Sequence, residues 1–125
     1  MSQLRVCESD AVQEGGLGFR FKVEFRGEET SAFIVRVDGQ VSCFLNRCSH
    51  VPVELDWNYG EFLDDSGRII YCATHGASYD GVDGSCLGGP CDGSPLVKLD
   101  IEEKEGAIFW APNETITVPA DGIED

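Results

Sequence analysis

Histidine is nearly absent from this chain: it has two, His50 and His75, in 125 residues, against six cysteines. Any chemistry that needs imidazole must run through those two positions, with none to spare for a second site. Basic residues are scarce too, nine Lys and Arg against 23 Asp and Glu, for a formal net charge of −14. A field of that sign repels nucleic acid and anionic membrane surfaces, and speeds encounter with basic partners. No apolar run approaches the ~20 residues that a membrane-spanning helix needs. The opening Met1-Ser2-Gln3-Leu4-Arg5-Val6-Cys7-Glu8 lacks the basic-then-apolar layout of a secretory leader, which points to the cytoplasm. Thiols stay reduced there, so the cysteines read as metal ligands or buried residues rather than disulfides. No Gly-x-Gly-x-x-Gly run opens a helix after a strand, so a nicotinamide or flavin site is not expected.

What is present has the texture of an all-β protein, one domain spanning 1–125. Short stretches rich in β-branched and aromatic residues alternate with Gly, Asp and Asn turns. They predict strands at Leu4–Cys7, Gly18–Phe25, Thr30–Val37, Val41–Asn46, Arg68–Cys72, Ser78–Asp80, Leu96–Glu103, Ala107–Ala111 and Thr115–Val118. Phe33, Val35 and Val37 alternate with Ile34 and Arg36 as a half-buried strand would. Asp38-Gly39 is a hairpin signal and Lys104-Glu105-Gly106 a second one. Ser9 could cap one short helical turn before Gly15-Gly16. The stretches Cys48–Gly67 and Tyr79–Pro95 read as irregular.

Both histidines sit beside a cysteine, in Cys48-Ser49-His50 and Cys72-Ala73-Thr74-His75. Structural zinc commonly takes its like ligands in pairs, two cysteines followed by two histidines. Here the order is Cys-His, then Cys-His. That order suits a binuclear [2Fe–2S] centre in which one iron takes two thiolates and the other two imidazoles, so that each loop serves both irons. A structural zinc module is the alternative that the ligand types leave open.

Around these ligands the chain resembles the Rieske iron–sulfur family, in particular its small bacterial ferredoxins, such as those of aromatic-ring dioxygenases. The resemblance rests on Cys48-Ser49-His50, on the run from Cys72 to Asp80, and on Gly84-Ser85-Cys86-Leu87-Gly88-Gly89-Pro90, and extends more weakly to Leu4–Cys7 and Leu96–Trp110. It implies stacked antiparallel β-sheets, with a base built from both chain ends and a cluster-binding subdomain at about 43–91. It also implies that Cys48 and Cys72 hold the buried iron and that His50 and His75 hold the outer one. Gly76, Ala77, Tyr79, Gly89 and Pro90 would surround the cluster, with the Gly76 N–H free to point at a sulfide and the Gly89-Pro90 loop as cover.

The resemblance has limits that carry information. Respiratory members of the family clamp their cluster loops with a disulfide; the matching places here are Val53 and Thr74. They also place a Ser and a Tyr as hydroxyl donors near the cluster; here Ala77 and Tyr79 stand there, so one donor remains. A low, ferredoxin-like potential, raised slightly by Tyr79, is the expectation. The connection Val51–Tyr71 is longer than in a plain ferredoxin, and its segment 55–67 carries Asp56, Glu61, Asp64 and Asp65 but no Lys or Arg. That segment is either a solvated loop or a docking surface. Cys7 and Cys43 read as buried residues, a Cys86–Cys91 disulfide is not expected in a reducing compartment, and Trp57 and Trp110 read as packing residues.

With both histidines committed, the chain has no residues for the mononuclear iron site of larger oxygenases. It reads as an electron carrier, not an enzyme, passing one electron from a flavin reductase to an oxygenase or another redox protein. The competing expectation is a fixed subunit or redox-sensing module of a larger complex. Oligomeric state is not legible in the sequence.

Overall fold

A computed structural model describes residues 3–48, 53–73, 76–89 and 94–124. Eleven short strands among the described residues form three antiparallel sheets. β1 (Leu4–Glu8), β10 (Ala107–Trp110) and β9 (Ile101–Lys104) make the first, in the order β1-β10-β9. The second runs β11-β2-β3-β4-β8, from β11 (Ile116–Thr117), β2 (Phe19–Phe25), β3 (Glu28–Val37), β4 (Gln40–Leu45) and β8 (Lys98–Leu99). A third, small sheet holds β5 (Ile69–Tyr71), β6 (Ser78–Asp80) and β7 (Cys86–Gly88) in chain order. The predicted strands are all found, shifted by a residue or two at their ends. The stretch Leu96–Glu103 splits into β8 and β9, and β7 was not anticipated. The helical turn is a 3-10 helix at Ser9–Ala11, with Glu8 rather than Ser9 in the cap position and no side-chain cap.

β3 corrects the expected half-buried strand. Ile34 is fully buried, as are Phe33 and Val35. Alternate side chains of β3 enter two different cores: Ala32 and Ile34 join one with Phe21, Cys43, Ile108 and Trp110. Phe33, Val35 and Val37 join the other, with Phe44, Leu55, Phe62, Ile70 and Tyr79. A central strand covered on both faces loses the apolar–polar alternation of an exposed one. Within the second core Phe33 lies flat on Phe62, ring centroids 3.7 Å apart. Arg36, the one long polar side chain in this run, reaches the rim and pairs with Glu103 at 2.6 Å.

The expected hairpin at Asp38-Gly39 joins β3 to β4, with φ of 55° and 77° at the two turn residues. The Glu14 carboxylate accepts from both of their backbone N–H groups, at 2.8 and 2.7 Å. β4 then leads directly to Cys48, and the chain leaves the large sheet for the small one.

Candidate metal centre

The second core is where the chemistry-bearing residues gather. Cys48 (2% exposed), Cys72, Ala77 and Tyr79 (each 0%) all belong to it. Neither cysteine is in a disulfide. Three segments deliver the site. The first leaves β4, where the Cys48 N–H donates to the Val53 carbonyl at 2.9 Å. The second follows β5: the Cys72 N–H donates to the Ala77 carbonyl and the Gly76 N–H to the Cys72 carbonyl, both at 2.8 Å. The two are tied to each other by Ala73 N–H to the Leu55 carbonyl at 3.1 Å. The Gly76 N–H is thus spent on closing its own loop, which corrects the expectation that it points at a sulfide. Glycine is needed there for the turn itself, since φ is +76°.

The third segment follows β7. Its pairing to β6 skips Leu87, which lies between the Ser78–Gly88 and Tyr79–Cys86 partners, a bulge that turns the chain toward the second loop. Gly89 then lies so close to that loop that a Cβ would stand 2.7 Å from the Gly76 carbonyl oxygen and 2.9 Å from Ala77 Cα. His50, His75 and Pro90, three of the expected site residues, lie outside the described residues.

Tyr79, expected as a hydroxyl donor, comes up against the first cysteine, and either atom of the pair could donate. Its hydroxyl lies 3.6 Å from the Cys48 sulfur, a hydrogen-bonding distance for sulfur. As donor to a thiolate, the hydroxyl stabilises added negative charge and so favours the reduced form of any metal centre held there. Tyr79→Phe should lower the reduction potential by about 40 mV, taking the differential strength of the bond as ~1 kcal/mol for a one-electron couple. Protein-film voltammetry reads this directly, and an unchanged potential would show that the bond does not act on the centre.

The other cysteines divide. Cys7 and Cys43 are buried, as expected, and burial pushes the Cys7 thiol up to about 11 and the Cys43 thiol well above its ordinary value. Cys86 is disulfide-bonded, which overturns the expectation from compartment. The other four described cysteines are not in disulfides, and Cys91 lies outside the described residues.

Two further corrections concern the segment after Cys48. Asp56 is no solvated carboxylate: its side chain is fully buried and pairs with Arg20 of β2 at 3.1 Å. Its oxygens also accept from Asn46 Nδ2 at 3.0 Å and from the Gly60 N–H at 2.9 Å. Asn46 Oδ1 in turn accepts from the Leu55 N–H at 2.8 Å, and Arg20 also bonds Ser31 and Glu54. This network pins the loop to the large sheet, and nothing in the sequence pattern singles out Arg20, Asn46 or Asp56 as a set. Trp110 is a packing residue, but Trp57 is 78% exposed.

Two buried thiols in one apolar core, a hydroxyl aimed at one of them and a glycine cradle against the second loop fit a cysteine-ligated metal group. A buried thiolate without such a partner would be costly. The Rieske [2Fe-2S] domain model matches residues 2–116. The chain belongs to this family. The cofactor of this Rieske protein is therefore one [2Fe–2S] cluster, and its work is electron transfer.

Solved structures agree on the fold. A Sphingomonas yanoikuyae B1 ferredoxin is 24% identical, with a TM-score of 0.68 over 90% of this chain and 100% of that one. The ferredoxin of carbazole 1,9a-dioxygenase from Nocardioides aromaticivorans IC177 is 23% identical, with a TM-score of 0.70 over 90% and 100%. A chain in a complex of reduced oxygenase and oxidized ferredoxin in carbazole 1,9a-dioxygenase is 28% identical, with a TM-score of 0.67 over 87% and 92%. No curated protein sequence matches the chain significantly. No helix among the described residues is long and apolar enough to cross a membrane.

Proposed function

We propose that this Rieske protein is a ferredoxin that shuttles single electrons from a flavin reductase to an oxygenase, with Cys48, His50, Cys72 and His75 as the cluster ligands. The observation that carries the reading is the meeting of Cys48 and Cys72 in one buried core, with the Tyr79 hydroxyl on the first sulfur. Each cysteine is followed two or three positions later by one of the two histidines. In this reading 43–91 is the cluster-binding subdomain, supported by the small β5-β6-β7 sheet and its separate core, and Gly76, Ala77, Tyr79, Gly89 and Pro90 surround the cluster. The named carbazole dioxygenase complex pairs a ferredoxin with an oxygenase, and this chain is alike over nearly its full length to a chain in it. The cytoplasm is the proposed compartment, supported by the free Cys7 and Cys43; the Cys86 disulfide weighs the other way.

When bound, the cluster supplies a one-electron couple. The chain's own residues do the rest. The buried cysteines keep water from the thiolate side, the Tyr79 hydroxyl stabilises negative charge there, and the hydrogen-bonded loops hold the geometry fixed between the two charge states. Anaerobic reduction followed by EPR tests the assignment. A mixed His/Cys signal is expected in the parent protein and its loss in His50→Cys and in His75→Cys. A normal signal surviving either change would remove that histidine from the ligand set.

A further inference from the structure

Beside the second ligand segment lies a groove of about 350 Å³, lined by Trp57, Glu61, Asp64, Asp65, Tyr71 and Ala73 among others. Ala73 directly follows Cys72, so whatever fills the groove stands next to the proposed centre. Trp57 and Tyr71 are 78% and 39% exposed. Exposed apolar surface gathered in one place and rimmed by polar residues is the mark of an interaction site. The loop that presents Trp57 is held at both ends by one carboxylate, since Asp56 bonds Arg20 of the sheet and the Gly60 N–H. The Trp57 side is thus presented on a fixed backbone, which lowers the ordering cost of docking. Among the described residues no Lys or Arg pairs with Glu61, Asp64 or Asp65; the nearest cation in sequence, Arg68, pairs with Asp38 instead at 2.7 Å.

We infer that this groove is a docking surface for a basic redox protein, which covers Trp57 and Tyr71 and sets Lys or Arg side chains against Glu61, Asp64 and Asp65. The inference rests on the electron-carrier reading. Aromatic anchors ringed by charge are the composition of a binding hot spot, and arginine is a preferred partner for both an indole face and a carboxylate. The carboxylates raise the encounter rate and the aromatics hold the complex once formed.

The test uses the cluster-loaded protein and ferricytochrome c, a basic one-electron acceptor, in stopped flow. Glu61→Gln, Asp64→Asn and Asp65→Asn combined should slow cytochrome c reduction about tenfold at low salt and flatten its salt dependence. Equal neutralisation elsewhere, at Glu105, Glu114 and Asp121, should slow it far less. Equal slowing by both triple variants would assign the effect to the field of the whole molecule and overturn the groove. Trp57→Ala should weaken the complex with reduction by dithionite unchanged. The Trp57 indole N–H resonance should also shift on titration with cytochrome c and lose that shift in the groove triple variant. A silent resonance overturns the groove whatever the electron does. A shifting resonance with no electron delivered overturns the carrier reading and leaves the docking surface standing.

Discussion

Asp56→Ala should lower the unfolding free energy by about 3 kcal/mol, measured by denaturant titration of the cluster-loaded protein. The carboxylate is fully buried and faces the Arg20 guanidinium, itself only 11% exposed. Removing it leaves a largely desolvated cation, and strips the Gly60 N–H and the Asn46 amide of their acceptor. Arg20 keeps its contact with Glu54 at 2.9 Å, so the loss falls at the lower end of the range for a broken buried pair. Taking out both charges at once, as Arg20→Met with Asp56→Leu, should recover part of the loss. A cost below about 0.5 kcal/mol for Asp56→Ala would place the pair with ordinary surface ion pairs.

Gly89→Ala should cut the iron bound per chain by at least about half, while Gly88→Ala should leave it near the parent level. The two glycines are neighbours, yet their surroundings are opposite. Among the described residues a Cβ at Gly88 meets nothing within 4 Å, whereas one at Gly89 would stand 2.7 Å from the Gly76 carbonyl oxygen and 2.9 Å from Ala77 Cα. Both obstacles are backbone, so neither swings aside as a side-chain tip would. Gly89 also has φ of +83°, where a Cβ costs about 1–2 kcal/mol on its own. The third segment must then lift from the second, opening the proposed site to water. Iron analysis and visible absorbance of matched preparations check the pair, and equal iron in both variants would show that the close approach is not needed.

The strands, the Asp38-Gly39 turn and the convergence of Cys48 with Cys72 were legible because each is carried by short-range pattern or residue type. Ile34 was misread for a reason internal to that method. A strand buried on both faces has no polar face to reveal it, so Ile34 looks like the outer side of a half-buried strand until a second core is seen beneath it. Asp56 and Trp57 exchanged their expected roles, the acid going in and the indole out. Burial of Asp56 depends on Arg20 of β2 and on Asn46 just past the end of β4, and no local window contains that meeting. Cys86 was misjudged from compartment, a prior about many proteins rather than a property of this chain. The Cys-His pattern pointed to the core where Cys48 and Cys72 meet; the groove beside it became visible only when exposure was known.

The two faces of β3 bear on how the molecule comes apart. Ala32 and Ile34 are walls of one core, and Phe33, Val35 and Val37 are walls of the other. Melting that strand exposes both cores at once, so the core that holds Cys48 and Cys72 and the core beneath it should share one unfolding transition. A small redox module that could loosen separately would let solvent reach its centre at each local opening. Building both cores on a single strand ties the lifetime of the centre to the global stability of the chain.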